Sequence, residues 1–515
     1  MSTVDVVVAG AGHNSLVSAA YLAKAGFEVL VLETRPVVGG NTATEELTLP
    51  GFHHDSCSTA HNLIQASPAI KELRLAEDYG LEYLHPDPVV HVVFGDGESL
   101  TQWRDLERTC EEFARFSGRD ADAYRRLIAD YDAAKDAFGA YRNNPYGRAS
   151  RPDEALDATW RRRIAMSAWD VVRTEFENWH ARAFMLWMAF MTVQPADRPG
   201  TGPLAYSLAY GRQQHSWTLP RGGSAALPLA LARLIEDHGG TVLTGKQVTG
   251  LVLEDGRCVG VETDDGETHR ARKAVLSTVH VKHLAEMAPA EAWGEEFLFG
   301  VERWREGITL FPTHYATTEA PTFAGPSGPV TPVASGVAPS VDRLLRVGND
   351  VERGLLADDD PPLLVVCGSV ADPGRAPAGQ HALKVIGFHP YALADGGSER
   401  WEEVKEDVAE RNLDQLRRFA PNMTEETILA RVVKSPVDLE RMNAHNWHGT
   451  CHGGDMGPAQ SGGLRFAPRS PIDGLYLTGG TTHPGGSVSA APGRNSAMVL
   501  LEDLGTSLEA VVAGA

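Results

Sequence analysis

The residues with the clearest chemistry stand at the amino terminus. Gly10-Ala11-Gly12-His13-Asn14-Ser15 follows the apolar run Val4 to Ala9 and precedes small and apolar residues at helical spacing, Asn14 to Ala25. Glycines at such a junction leave backbone amides bare, and the helix that starts there aims its N-terminal amides and positive dipole end at a pyrophosphate. The third glycine of the usual dinucleotide pattern is replaced by Ser15, still small enough to hold the helix against the strand. Glu33, 21 residues after Gly12, is placed to accept hydrogen bonds from an adenosine ribose diol. An ordinary α/β protein with a tight glycine turn is the plainer alternative.

Two further glycine-bearing segments bear on which dinucleotide is held. Thr34-Arg35-Pro36-Val37-Val38-Gly39-Gly40-Asn41-Thr42 follows the acid directly, and Leu477 to Arg494, LTGGTTHPGGSVSAAPGR, lies at the other end of the chain. A nicotinamide dinucleotide has no need of the distant piece. A flavin extended along the sheet edge does, because its ribityl chain and pyrophosphate draw amides from a second helix N-terminus.

The densest titratable cluster is His445, His448, Cys451, His452 and Asp455 in NAHNWHGTCHGGD. Its spacing permits metal ligation, acid/base exchange by His452, Asp455 or His448, or structural histidines satisfied by backbone groups, and no metal is expected. His53, His54, Asp55 and His61 read as surface histidines or a cavity rim. Trp179, Met185, Trp187, Met188, Phe190 and Met191 lie near helical periods, which favours core packing over a substrate channel.

Strand Val4 to Ala9, a helix closed by Gly26 and strand Glu28 to Leu32 form a βαβ unit with a right-handed crossover. Residues 101 to 219 change to long, mixed-charge helices such as Leu106 to Phe116 and Ala121 to Tyr141. From Gly222 the α/β pattern resumes, with helix Ala225 to Asp237, strand Thr241 to Leu243, a hairpin about Glu254-Asp255-Gly256 and strand Ala274 to Ser277. Residues 320 to 340 read as a surface connection. Strands at Leu363 to Val366 and Leu383 to Gly387, helix Ser398 to Phe419, strand Leu475 to Leu477 and helix Ala490 to Leu504 complete the chain. The dinucleotide-binding domain is expected over 1–100, 220–290 and 440–515, and a substrate domain over 101–219 and 291–439.

Composition sets outer limits. The 515 residues are 43% hydrophobic and 22% charged, enough for a large core. The 47 Lys and Arg against 68 Asp and Glu leave a net charge of −21, which argues against nucleic acid as a partner. Five cysteines without a CxxC pair suit neither a disulfide framework nor a zinc site, and point to a reducing cytoplasm. No signal-peptide pattern is visible, and the longest apolar stretch, Ala183 to Val193, is too short for a bilayer, which needs about 20 residues. A peripheral membrane contact stays open, as does the oligomeric state.

Taken together, GAGHNSLVSAAYLAKAG, LETRPVVGGNTATEE, LPRGGSAALPLALARLIEDHGG, SPVDLERMNAHNWHGTCHGGD and LYLTGGTTHPGGSVSAAPGRNSA, in this order, resemble the FAD-dependent phytoene desaturase-like superfamily over nearly the whole chain. Within it they are most similar to the branch of pyridine nucleotide-disulphide oxidoreductase domain-containing protein 2. The resemblance implies non-covalent FAD and an α/β fold in which a discontinuous Rossmann-like FAD-binding domain carries an inserted α+β substrate domain. It implies an apolar substrate whose carbon–carbon bond is oxidised, saturated or isomerised; the reaction expected is dehydrogenation or isomerisation of an isoprenoid- or carotenoid-like substrate, with oxygen or a quinone-type electron acceptor for the former. By position it implies Gly10, Gly12, Asn14 and Ser15 at the pyrophosphate and Glu33 at the ribose. Thr34, Arg35, Gly39, Gly40, Asn41 and Thr42 fall on the flavin side and Val248 at the adenine, while Gly480, Gly486, Ser487 and Val488 close over the isoalloxazine. The His452 loop would then face the flavin. Ser15 and Ser487 depart from the glycines usual at their positions. Flavin amine oxidation and a non-catalytic flavin-binding role are the alternatives.

Overall fold

The computed structural model describes residues 2–356 and 359–514. Val6, Val7 and Val8 are fully buried, the signature of a parallel strand covered on both faces. That strand, Ser2–Ala9, is flanked in parallel by Val29–Glu33 on one side and Thr268–Ser277 on the other. Thr241–Thr244 extends the sheet beyond Val29–Glu33, and Leu475–Leu477 pairs in parallel with Thr268–Ser277. The sheet ends in an antiparallel pair, Val248–Glu254 and Arg257–Thr263, joined where Asp255 and Gly256 both take positive φ, the turn expected there.

Helix His13–Lys24 buries Leu16, Val17, Ala20 and Tyr21 against helices Ala226–Asp237 and Ala491–Asp503. The approach to the last is close. Ser18 Oγ donates to the Gly493 carbonyl at 2.7 Å, and a β-carbon on Gly493 would lie 2.9 Å from Val17 Cβ. The two ends of the polypeptide are thereby fixed side by side.

A second seven-stranded sheet runs in the order Ile428–Val433, Thr309–Thr317, His381–His389, Leu363–Val366, Ala334–Ala338, Val90–Phe94 and Ser99–Gln102. It packs against the helices between residues 106 and 215, in a core that includes Phe113, Tyr124, Phe184 and Trp187. Three expectations are corrected here. Residues 90–94 and 99–100, expected within the dinucleotide-binding domain, belong to strands Val90–Phe94 and Ser99–Gln102 of the second sheet, because a fully buried run has the same composition in either. Residues 334–338, read as surface connection, form a buried strand whose small side chains admit the helix above it. A β-carbon on Gly336 would lie 2.8 Å from the Trp187 indole nitrogen. Helix Glu295–Glu302, expected in the substrate region, instead packs Phe297 and Val301 with Val275 and Leu475 under the first sheet.

Met185, Trp187, Met188 and Phe190 are buried as core. Among the described residues no helix is long and apolar enough to cross a membrane, and the five cysteines are free thiols.

Candidate functional site

A cavity of about 1040 Å³ runs between the two sheets. One end is built from the glycine segments. Gly10 takes φ +96°, and a β-carbon there would lie 2.5 Å from Thr278 Cγ2, so both conformation and space require glycine. Helix His13–Lys24 begins at Gly12 with no side-chain cap, which leaves first-turn amides for a ligand. Asn14 lines the cavity with a buried Oδ1 that has no hydrogen-bond partner. Glu33 is 7% exposed; its Oε2 accepts from the Ala11 amide at 2.8 Å and its Oε1 from the Arg35 amide at 2.9 Å. Burial raises its carboxyl above the usual range, and those backbone donors pull it back.

Gly10, Gly12, Asn14, Glu33, Thr34, Arg35, Gly39, Gly40, Asn41 and Val248 all line this cavity, as do Gly480, Gly486, Ser487 and Val488 from the far end of the chain. Ser15 and Thr42 do not. Their hydroxyls turn inward, Ser15 to the carbonyls of Gly10 and Gly12 and Thr42 to that of Gly39, and so shape the loops from behind. Arg35 pairs with Glu45, its Nη2 donating to both carboxylate oxygens at 2.7 and 2.8 Å. Ser487 takes φ +110°, a left-handed conformation that favours the glycine usual at this position, while its carbonyl meets His13 Nε2 at 3.2 Å.

The histidine loop is tied to this end through Asn41, whose amide donates to Asn446 Oδ1 at 2.7 Å and the Cys451 carbonyl at 3.0 Å. His452 and His445 line the cavity, each held down to about 4 chiefly by burial, so both are neutral near pH 7. His448 and Asp455 do not face it. His448 stacks on Tyr391 and Trp447 with Nδ1 3.7 Å from Glu306, and Asp455 pairs with Arg198 at 3.1 Å. Positive φ at His448 and Gly449 and again at Gly453 and Gly454 turns the chain on both sides of His452, which separates the cluster that the sequence presents as one. Among the described residues no three His, Cys, Asp or Glu converge as a metal site.

Cys451 donates toward the Cys57 sulfur, 3.6 Å away, which holds the Cys57 thiol below its ordinary range and pushes that of Cys451 above it. Lys384 Nζ donates to the carbonyls of Asp55, Cys57 and Ser58, joining the second sheet to this wall. His54, Asp55 and His61 are buried, not surface groups or rim, and Asp55 pairs with Arg375 at 2.9 Å.

Sequence reasoning missed the other half of the cavity. Tyr131, Phe138, Leu204, Leu208, Ile386 and Phe388 form an apolar chamber, with Met191 at its edge. The spacing of Leu204, Leu208 and Arg212 on helix Gly202–His215 is the signal that was available. Segments 452–454 and 479–486 meet backbone to backbone: a β-carbon on Gly480 would lie 2.8 Å from the His452 carbonyl oxygen, and one on Gly486 only 2.6 Å from its carbonyl carbon. Gly486→Ala is therefore expected to cost about 1–3 kcal/mol of stability by overpacking and to lower flavin content, read by denaturant unfolding and visible absorbance. Wild-type values in both would refute this packing.

Bare helix amides, an unpartnered buried Asn14 oxygen, the Glu33 carboxylate and glycines where a β-carbon has no room all fit FAD, and the two-sheet fold closed by its C-terminal segment is that of an FAD-dependent oxidoreductase. The description "Flavin containing amine oxidoreductase" matches residues 16–493, and the chain belongs to that family. It is 28% identical to one of the chains of limonene dehydrogenase from Castellaniella defragrans, over 98% of this chain and 95% of that protein. It is 28% identical to pyridine nucleotide-disulfide oxidoreductase domain-containing protein 2 of Mus musculus (97% and 94%) and to hydroxyneurosporene desaturase of Cereibacter sphaeroides (97% and 98%). An oxidoreductase from Methanosarcina mazei shares the fold with a TM-score of 0.63 at 18% identity, covering 98% of this chain and all of that one.

Proposed function

We propose that this enzyme dehydrogenates a carbon–carbon bond of an elongated apolar, isoprenoid-type substrate, with oxygen or a quinone-type compound as terminal electron acceptor, or isomerises such a bond with no net transfer of electrons. The observation that carries the reading is a cavity that passes from the nucleotide loops into an apolar chamber lined by Phe138, Leu204, Leu208, Ile386 and Phe388. Its volume, about 1040 Å³, exceeds what a drug-sized ligand alone takes up. Bound FAD supplies the two-electron acceptor for hydride leaving carbon.

The chain's own part is to hold a carbon-bound hydrogen about 3–3.5 Å from the accepting atom and to exclude water. His452 enters neutral and offers an imidazole to hydrogen-bond or to take up a proton. Dehydrogenation of limonene and desaturation of hydroxyneurosporene, in the names of two relatives, are chemistry of this class.

Amine oxidation fits less well. Of the carboxylates among the described residues, only Glu33 and Glu286 line the cavity; Glu33 belongs to the nucleotide loops, and the apolar chamber carries an arginine instead. An ammonium group has no counter-charge there. Anaerobic mixing of the oxidised holoenzyme with a panel of isoprenoids and amines tests this directly: isoprenoids are expected to bleach the flavin, and bleaching by amines alone would reject the proposal.

A further inference from the structure

Three arginines are buried among the described residues, and two of them are paired within the chain, although the Nε of each is left without a partner. Arg375 pairs with Asp55 at 2.9 Å, and Arg465 donates to the carbonyls of Gly480 and Asp455. Arg212 is different. It is 5% exposed, lines the cavity, and has no hydrogen-bond partner at Nε or Nη1. No ion pair to it is formed by any described carboxylate, and burial alone holds the guanidinium down to about 9.

Its position is fixed. On helix Gly202–His215 it follows Leu204 and Leu208 at four-residue steps, on the face that walls the apolar chamber. The guanidinium carbon lies 3.6 Å above the Trp217 ring, and Trp217, itself fully buried, donates Nε1 to the Thr59 carbonyl at 2.8 Å. Stacking holds the planar cation in place and leaves its edge donors free. Removing a guanidinium from water without a counter-charge is costly, and an incoming anion recovers that cost through charge-assisted hydrogen bonds.

We propose that Arg212 binds the carboxylate of an amphipathic substrate, so that the chamber selects isoprenoid-type acids over their neutral counterparts. The inference rests on the reading that this chamber holds an isoprenoid-type chain. A carboxylate matches the site better than a diphosphate does, because one guanidinium neutralises one charge and the neighbouring Thr59, Leu204 and Leu208 add none.

Equilibrium dialysis of the holoenzyme against farnesoic acid and against farnesol, which share one chain and differ in the head group, tests it. The wild type is expected to bind the acid at least about tenfold more tightly than the alcohol. Arg212→Gln should erase that preference and Arg212→Lys should restore part of it, with FAD content measured alongside from the visible spectrum. Equal binding of acid and alcohol by the wild type, which needs no variant, would overturn this inference and leave the isoprenoid reading standing. Binding of neither would overturn both. Loss of FAD in Arg212→Gln with the acid preference intact would assign the arginine to the cofactor and also overturn the inference.

Discussion

Glu33→Gln is expected to purify nearly colourless, with FAD affinity about 10²–10⁴-fold below wild type. The carboxylate has two tasks at once. Its oxygens accept from the Ala11 and Arg35 amides, which fixes the glycine loop relative to the second strand, and their remaining lone pairs face the cavity. An amide in its place turns one acceptor into a donor, set against a backbone N–H or against the ligand. Hydrogen bonds to a charged group contribute about 1.5–3 kcal/mol each, and losing two gives the range stated. The ratio of visible to ultraviolet absorbance and FAD titration of the apoprotein measure it. Glu33→Asp, which keeps the charge but shortens the reach, should fall between the two. A fully yellow Glu33→Gln protein would remove Glu33 from cofactor binding.

That prediction was legible in the sequence because strand, glycines, helix, strand and acid stand in one local unit, where chain connectivity fixes geometry. The distant segment 480–488 was legible for a related reason: glycines at Gly480 and Gly486 are required by close backbone approach, and the sequence shows glycine directly. Ser487 shows the same rule from the other side, since a residue that departs from glycine is left at φ +110°.

What the sequence concealed was decided by the direction of side chains. His448, His452 and Asp455 are seven residues apart at most, yet only His452 reaches the cavity, because turns at positive φ through His448 and Gly449 on one side of it and Gly453 and Gly454 on the other redirect the chain. The apolar chamber was hidden because its walls come from helices Gly118–Arg142 and Gly202–His215 and strand His381–His389, well separated along the chain and each with an ordinary core composition. Ala334–Ala338 was hidden by its small residues, whose role appears only with Trp187 seated above Gly336.

The same burial that shapes the site is expected to make the protein labile to acid. His13, His445 and His452 around the cavity and His91 in the second sheet are held down to about 4, and His54, His61 and His389 to about 3, each chiefly by burial. In the unfolded chain these imidazoles take a proton near pH 6.5. Above that pH folded and unfolded states carry the same protons, and stability is insensitive to these groups. Between 6.5 and about 4 the unfolded state binds more protons, so stability falls with pH, by up to about 1.4 kcal/mol per unit for each histidine. Below about 4 the four cavity and sheet histidines add no further loss, and the other three level off near 3. With several such groups titrating together, the loss over the unit below pH 6 is expected to approach the whole stability of a domain, about 5–15 kcal/mol. Thermal unfolding of the holoenzyme between pH 7.5 and 5 should therefore show a steep, accelerating fall in Tm, with release of flavin. A flat profile down to pH 5 would mean that these histidines reach solvent or gain an acidic partner when the cofactor is bound.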